Sequence, residues 1–485
     1  MKTPSADFQA IRQAIASLPA DVSTDAIGSQ APKLEEFYAP ETHAVAIDPV
    51  APLVLGARGT GKSFWAGVLG NVELRKAAAA AYPKLGLKRL QVQFGFTGLD
   101  GPEGIGREKL DACVPQNADD KDARAFWWAT ILSALAQAAG QPPPKLYKLL
   151  PSARDLEARE EVLAANEQAL RDSNRTLLIV YDALDTTASS WPRRRLLTQA
   201  LLEVVWSMRA YRAIRLKLFL RPDQLEDDAL RFVELPKLRT GAVRLTWPGT
   251  DLYGLLFARL ALGDAAEPFE RLLTNLKLPI GSRNEILARN WTLAHDIGEQ
   301  KRLMAALAGP YMADGPHGYK KGNTYDWPLA HLGDAFDEVT PRSFLGLAIA
   351  AAKYGAAPPD RVITPDGVRH GLRAASKTRV DQLHQEFPWI KGVLAPLAGL
   401  LLPQDEDDVF KVWRKARTLQ DALADAKKMD YLPPVPENAN CDESDLYVAL
   451  ERIGVMLRRT DGRLDMPDLF RVAAKLLKKG GTAPL

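Results

Sequence analysis

At 485 residues, 46% hydrophobic and 25% charged, the chain is too long for one compact core and reads as a soluble protein of several domains. Its 63 basic and 60 acidic side chains leave a net charge of +3, which excludes a bulk attraction to nucleic acid or membrane and leaves only local patches. Cys113 and Cys441 lie too far apart in sequence to suggest a disulfide framework or a zinc site. The opening Met-Lys-Thr-Pro-Ser-Ala-Asp lacks the apolar stretch of a signal peptide. The apolar runs near Phe344–Ala352 and Ile390–Leu402 are too short to span a bilayer, so the expected setting is the cytoplasm with no membrane partner.

In chain order, residues 5–18 predict a short amphipathic helix, followed by a Pro-containing loop to Ile47, and 1–47 is taken as an N-terminal extension. Over 48–250, β-rich apolar runs at 51–55, 89–96, 176–181, 215–220 and 242–247 alternate with helical patterns at 62–80, 121–139, 153–172 and 188–213. That alternation predicts an α/β domain with a largely parallel sheet. Residues 251–355 are helical in period, broken by the loop Gly309–Trp327, and predict a helical lid. After the break at Gly355–Pro359, 356–436 reads as a helical region ending in the Pro-rich linker Leu432–Glu437. The tail, 437–485, reads helix, strand, Asp461-Gly462 turn, strand, helix over Asp468–Lys479, which is the plan of a winged helix.

The chemistry concentrates at strand ends. Leu53-Val-Leu55 runs into Gly56-Ala57-Arg58-Gly59-Thr60-Gly61-Lys62-Ser63, a complete phosphate-binding loop between a strand and a helix. Its glycines let successive backbone N–H groups turn inward as a nest for phosphates, and the helix start adds its positive end. Lys62 is assigned to the β- and γ-phosphates and the Ser63 hydroxyl to Mg²⁺, with ATP as the nucleotide. The run Leu177–Tyr181 ends in Asp182-Ala-Leu-Asp185. Asp182, at the strand tip, is placed to hold the metal beside Ser63. Asp185 can orient the attacking water, or it can cap the following helix.

A separate strand between the phosphate loop and Asp182, with the phrase hydrophobic-Asp-x-Leu-Asp, resembles the STAND and AAA+ branch of P-loop ATPases, whose NACHT-type members carry a similar acidic motif. The resemblance covers roughly residues 35–355. It implies that Arg221, at the end of Arg215–Leu220, reads the γ-phosphate; otherwise it is a surface residue before a Pro turn. It implies an arginine finger for a neighbouring subunit at Arg239, whose alternative is a solvated side chain. It also implies a second sensor at Arg342, behind the N-cap Thr340 and Pro341 of a lid helix, with a salt bridge to Asp334, Asp337 or Glu338 as the alternative. The acidic motif is not the usual Asp-Glu pair, and arginine replaces a polar first sensor. Both departures shift the expectation from a processive motor to a switch.

The tail cations Arg458, Arg459, Arg463, Arg471, Lys475, Lys478 and Lys479 can form a stripe for DNA phosphates, or simply be solvated. Arg193-Arg194-Arg195, after Pro192, offers a second contact, to a neighbour or to DNA, with a solvated helix start as the alternative. The leading expectation is a magnesium-dependent ATP-hydrolysing switch, homo-oligomeric, with a possible protein partner, in defence or DNA transactions. The alternatives are a DNA-binding initiator or loader and a small-molecule kinase.

Overall fold

Continuous apolar runs such as Leu177-Leu-Ile-Val-Tyr181, buried along their whole length, belong in a parallel sheet covered on both faces. In the computed structural model, which describes residues 5–19, 25–225, 230–435 and 440–484, that sheet is present. Its strands are β1 (Leu53–Leu55), β2 (Leu90–Phe96), β3 (Thr176–Tyr181), β4 (Ile214–Leu220) and β5 (Val243–Arg244). All pair parallel in the order β2-β3-β4-β1-β5. Strand β4 therefore separates β1, which carries the phosphate loop, from β3, which carries Asp182.

The chain divides into two compact units, Ser23–Thr246 with Leu287–Arg289, and Met1–Val22 with Trp247–Ile286 and Asn290–Leu485. In the α/β unit, helix α1 (Lys62–Gly70), helix α2 (Asp120–Ala138) and helix α3 (Trp191–Ser207) carry the packing that positions the strand ends. Alternate strand residues, among them Phe96, Ile179, Tyr181 and Leu218, join Trp127 of α2 and Leu201 of α3 in one apolar core. Trp127 donates its indole N–H to the Leu197 carbonyl at 2.9 Å, and the Tyr181 hydroxyl meets Thr130 Oγ1 at 2.9 Å. These two buried polar groups therefore have partners.

On β4, Lys217 is fully buried. Its ammonium donates to the carbonyls of Ala46, Asp48 and Ala51 at 2.7, 2.9 and 2.6 Å, fixing the segment that leads into β1. Lys217→Met would leave those carbonyls without their charged donor. At about 1–3 kcal/mol per orphaned buried group, partly relieved by relaxation, roughly 3 kcal/mol of stability should be lost. Denaturant unfolding reads this as a lower midpoint at unchanged slope.

Helix boundaries differ from the expected ones where a local cap intervenes. The helix expected over 62–80 is two, because Asn71 accepts from the backbone N–H groups of Glu73 and Leu74 and starts a new helix, Val72–Ala81. Likewise Asp155 caps Leu156–Asp172, splitting it from Leu146–Arg154. Strand β5 keeps only two of the residues expected over 242–247.

The second unit is mostly helical. Its helix Ser5–Ser17 belongs here, and Arg12 donates to the carbonyls of Val362, Tyr354 and Gly355 at 2.9, 2.7 and 3.0 Å. Helix α4 (Pro341–Lys353) has Thr340 as its N-cap, accepting from Ser343 N–H at 3.2 Å, with Pro341 in the first turn. It packs against α5 (Pro365–Glu386), across the Gly355–Pro359 break. The expected hairpin is present as β6 (Leu457–Arg458) against β7 (Leu464–Asp465), antiparallel around Asp461-Gly462. The 436/437 boundary drawn in the linker Leu432–Glu437 falls at residues outside those described.

The long helix expected over Asp468–Lys479 is a correction: it ends at Arg471, and Leu477–Lys478 instead forms a short strand parallel to Leu401–Leu402. Arg471 is fully buried. It donates to Asp468 Oδ1 and to the carbonyls of Leu476 and Thr482 at 2.6, 2.9 and 2.9 Å, so the chain folds back around a guanidinium instead of continuing the helix.

Candidate nucleotide site

The carboxyl ends of β1, β3 and β4 lie together, the place where parallel α/β sheets present their loops to ligands. Register fixes the neighbours. Leu55 pairs with Leu220, and Gly56 N–H donates to the Leu220 carbonyl at 3.0 Å, so Arg221 starts beside the phosphate loop. Tyr181 pairs with Leu218, which brings Asp182 to the same edge of the sheet.

The loop has the backbone its sequence requires. Gly61 is left-handed (φ +98°) at the N-cap of α1. A Cβ on Gly56 would run into Thr60 Oγ1, so any larger residue there would displace the Thr60 side chain that closes the loop. Thr60 Oγ1 donates to the Ala57 carbonyl at 2.9 Å, and Lys62 Nζ donates to the Gly56 and Ala57 carbonyls at 2.7 and 3.1 Å. The lysine thus lies folded over the loop that is meant to hold phosphate.

Asp182 is 2% exposed, hydrogen-bonded by the Ser63 hydroxyl, while its Oδ1 is buried with no hydrogen-bond partner. Burial pushes its carboxyl up to about 6, against the pull of the Ser63 hydroxyl, the Ala183 N–H and Lys62. An orphaned carboxylate oxygen next to a serine hydroxyl is a donor set that fits Mg²⁺. This ion takes few protein ligands and fills its octahedron with water and phosphate oxygens. No cluster of three or more acidic, histidine or cysteine side chains among the described residues could make a self-sufficient cage. Ala183, which follows, sits at φ +53°, a sparsely populated conformation for a residue with a side chain.

Asp185 lies in the single turn Leu184–Thr186. It does not cap α3, because the Ser190 side chain does so, accepting from Arg193 N–H. Burial would raise the Asp185 carboxyl, but Arg221, Lys62 and Arg58 together hold it below the usual range. Arg221 is 5% exposed. Its Nη1 stands 3.6 Å from Asp185, while Nε and Nη2 engage both oxygens of Asp223 at 2.9 and 2.5 Å. Arg221 is therefore a held, inward side chain and not a solvated one.

Two further residues join this cluster, Asp223, which the sequence left without a role, and Arg194, which it offered only as an external contact. Asp223 orients Arg221, and the Arg221-Pro-Asp223 tripeptide was its local signal. Arg194 donates to the Ala188 carbonyl at 3.2 and 2.8 Å and shares the field of Arg221, Asp185 and Asp223. Arg193 is buried too, donating to the carbonyls of Pro115 and Val114 and to Asp111. The expected basic contact at Arg193-Arg194-Arg195 is corrected accordingly: the first two arginines serve the fold. Arg239 is half-buried, with Nε donating to the Leu225 carbonyl at 2.9 Å. Arg342 lies in the other unit, at the start of α4.

Of the cations expected to form a stripe in the tail, one is removed from the surface and several are ion-paired on it. Arg471 is buried, Arg458 pairs with Glu406 at 2.6 Å, Arg463 with Asp461 at 2.7 Å, and Arg459 and Lys478 with Asp465 at 3.5 and 3.0 Å. Lys475 and Lys479 remain exposed and outside these pairs.

No protein-family model matches the chain, and no curated protein does. Among solved structures, Aeropyrum pernix ORC2, determined as ADPNP–ADP complexes, is similar over 90% of this chain and 93% of its own, with 14% identity and a TM-score of 0.40. A likeness that distant assigns no function. No helix among the described residues is long and apolar enough to cross a membrane.

Proposed function

We propose that this protein is a magnesium-dependent ATPase of the STAND/AAA+ type, in which ATP bound over Gly56–Ser63 sets the state of a cytoplasmic, oligomeric switch. The observation that carries this reading is Asp182 Oδ1, buried and without a hydrogen-bond partner, on the carboxylate that the Ser63 hydroxyl already engages. Phosphoryl transfer asks a protein for position and charge more than for covalent help. Loop N–H groups and Lys62 hold the phosphates. Ser63 and Asp182 would hold magnesium, which would supply charge neutralisation for the phosphates. Asp185, kept ionised by its cations, orients the attacking water and does not need to take its proton early. Arg221, pinned by Asp223, faces the charge that develops on the γ-phosphoryl group. Arg342 is the residue through which a change at the nucleotide reaches the lid, and Arg239 is the finger offered to a neighbouring copy.

The test is phosphate release. Asp185→Asn should keep ATP binding and lose roughly 100-fold in turnover, the scale of one positioned acid–base group. Unchanged turnover in that variant would remove Asp185 from the mechanism. Formation of a phosphorylated acceptor in place of free phosphate would move the protein to the kinase class. An initiator role adds DNA, which the exposed tail cations, Lys475 and Lys479 among them, and not the buried Arg471, would meet; a salt-dependent gel shift weakened on Lys475→Ala with Lys479→Ala reads that directly.

A further inference from the structure

A guanidinium taken out of water has to recover its hydration from acceptors or a counter-ion. Arg379, on α5, is 5% exposed, yet its Nη1 is buried with no hydrogen-bond partner, and none of its other nitrogens makes a hydrogen bond or ion pair among the described residues. Asp334 senses its charge but stands outside ion-pair distance, with its Oδ1 accepting from the N–H groups of Phe336 and Glu338 at 2.9 and 3.0 Å. Arg379 instead lines a cavity of about 200 Å³ between α4 and α5. Arg342 lines the same cavity from α4, Thr378 and Gln382 add polar groups, and no acidic side chain lines it. Gly346 gives it an open floor, since a Cβ there would meet no atom within 4 Å.

We propose that this cavity binds the phosphoryl group of a small phosphorylated ligand, in a site built by the helical unit alone. Paired guanidinium forks match a tetrahedral oxyanion, and the Thr378 hydroxyl adds a donor from the side. The space exceeds that of a bare phosphate, so the remainder of the ligand lies over Gly346. Arg342 is shared with the lid-sensor reading, but the assignment rests on Arg379, which has no other partner.

The experiment uses the full chain carrying Lys62→Ala, so that the phosphate loop does not contribute. Inorganic phosphate is titrated at constant ionic strength while thermal unfolding is followed, with acetate as the planar-anion control. Phosphate is expected to raise the melting temperature of this protein by several degrees and acetate to leave it unchanged. Adding Arg379→Met should abolish the phosphate response, and it should raise the melting temperature without anion, because an unpaired buried charge is gone. Gly346→Leu, which fills the cavity while keeping both arginines in the chain, should abolish the response as well and covers the case in which Arg379→Met fails to fold. No phosphate response in the Lys62→Ala protein, or an equal response in both cavity variants, overturns the site. An equal response to acetate overturns the phosphoryl assignment.

Discussion

Lys62→Ala is expected to weaken magnesium-dependent ATP binding by roughly 30- to 1,000-fold while leaving the fold nearly as stable as before. The ammonium lies over the loop, donating to the Gly56 and Ala57 carbonyls at 2.7 and 3.1 Å. Those bonds are partly solvent-facing and replaceable by water, so their loss costs the apo protein little. Toward a triphosphate the same ammonium makes charge-assisted hydrogen bonds at a helix start, where about 2–4 kcal/mol is at stake, or roughly 30- to 1,000-fold in affinity. Equilibrium dialysis with labelled ATP measures the first effect, and a denaturant melt without nucleotide measures the second. Sizing by light scattering with ATP and with ADP should show a change of mass in the parent that the variant loses. Equal retention of ATP by parent and variant would mean that the loop is not the nucleotide site.

The parts of this site that could be read from sequence are those in which local spacing dictates geometry. Gly56-x-x-x-x-Gly61-Lys62-Ser63 closes a turn by itself, and Asp182 is marked by the apolar strand it terminates. The bond between Arg221 and Asp185 is different in kind. It exists because β4 lies between β1 and β3 in a fixed register, and no window of sequence contains that register. The tail failed for a related reason. Residues 468–479 have helical character, but Arg471 gains more by collecting the carbonyls of Leu476 and Thr482 than the backbone gains by another two turns. Lysine at 475 then takes a left-handed φ of +59°, which a continuing helix forbids. Tertiary capture of a single charged side chain overrode propensity there. The same capture, at Arg193, turned a cation that looks available in sequence into a structural bolt.

Asp182→Asn should separate stability from function most sharply. Burial holds the Asp182 carboxyl near 6, well above the ordinary 3.8, with the nearby Asp185 adding to the rise. The folded state therefore binds a proton here that the unfolded chain has already released, and the fold weakens as pH climbs from about 4 through 6. At about 1.4 kcal/mol per pH unit, the buried charge costs on the order of 3 kcal/mol at pH 7.5. Asparagine carries no charge, so the nucleotide-free variant should melt several degrees higher than the parent at pH 7.5 and lose that advantage near pH 4. Its hydrolysis should fall to background, because the metal requires an ionised carboxylate; for the same reason turnover of the parent should drop as pH falls below about 6. Adding magnesium and ATP should raise the melting temperature of the parent and leave the variant where it was. A variant less stable than the parent at pH 7.5, or one that still hydrolyses ATP, would show that the orphaned oxygen of Asp182 is not a metal position kept at the expense of the fold.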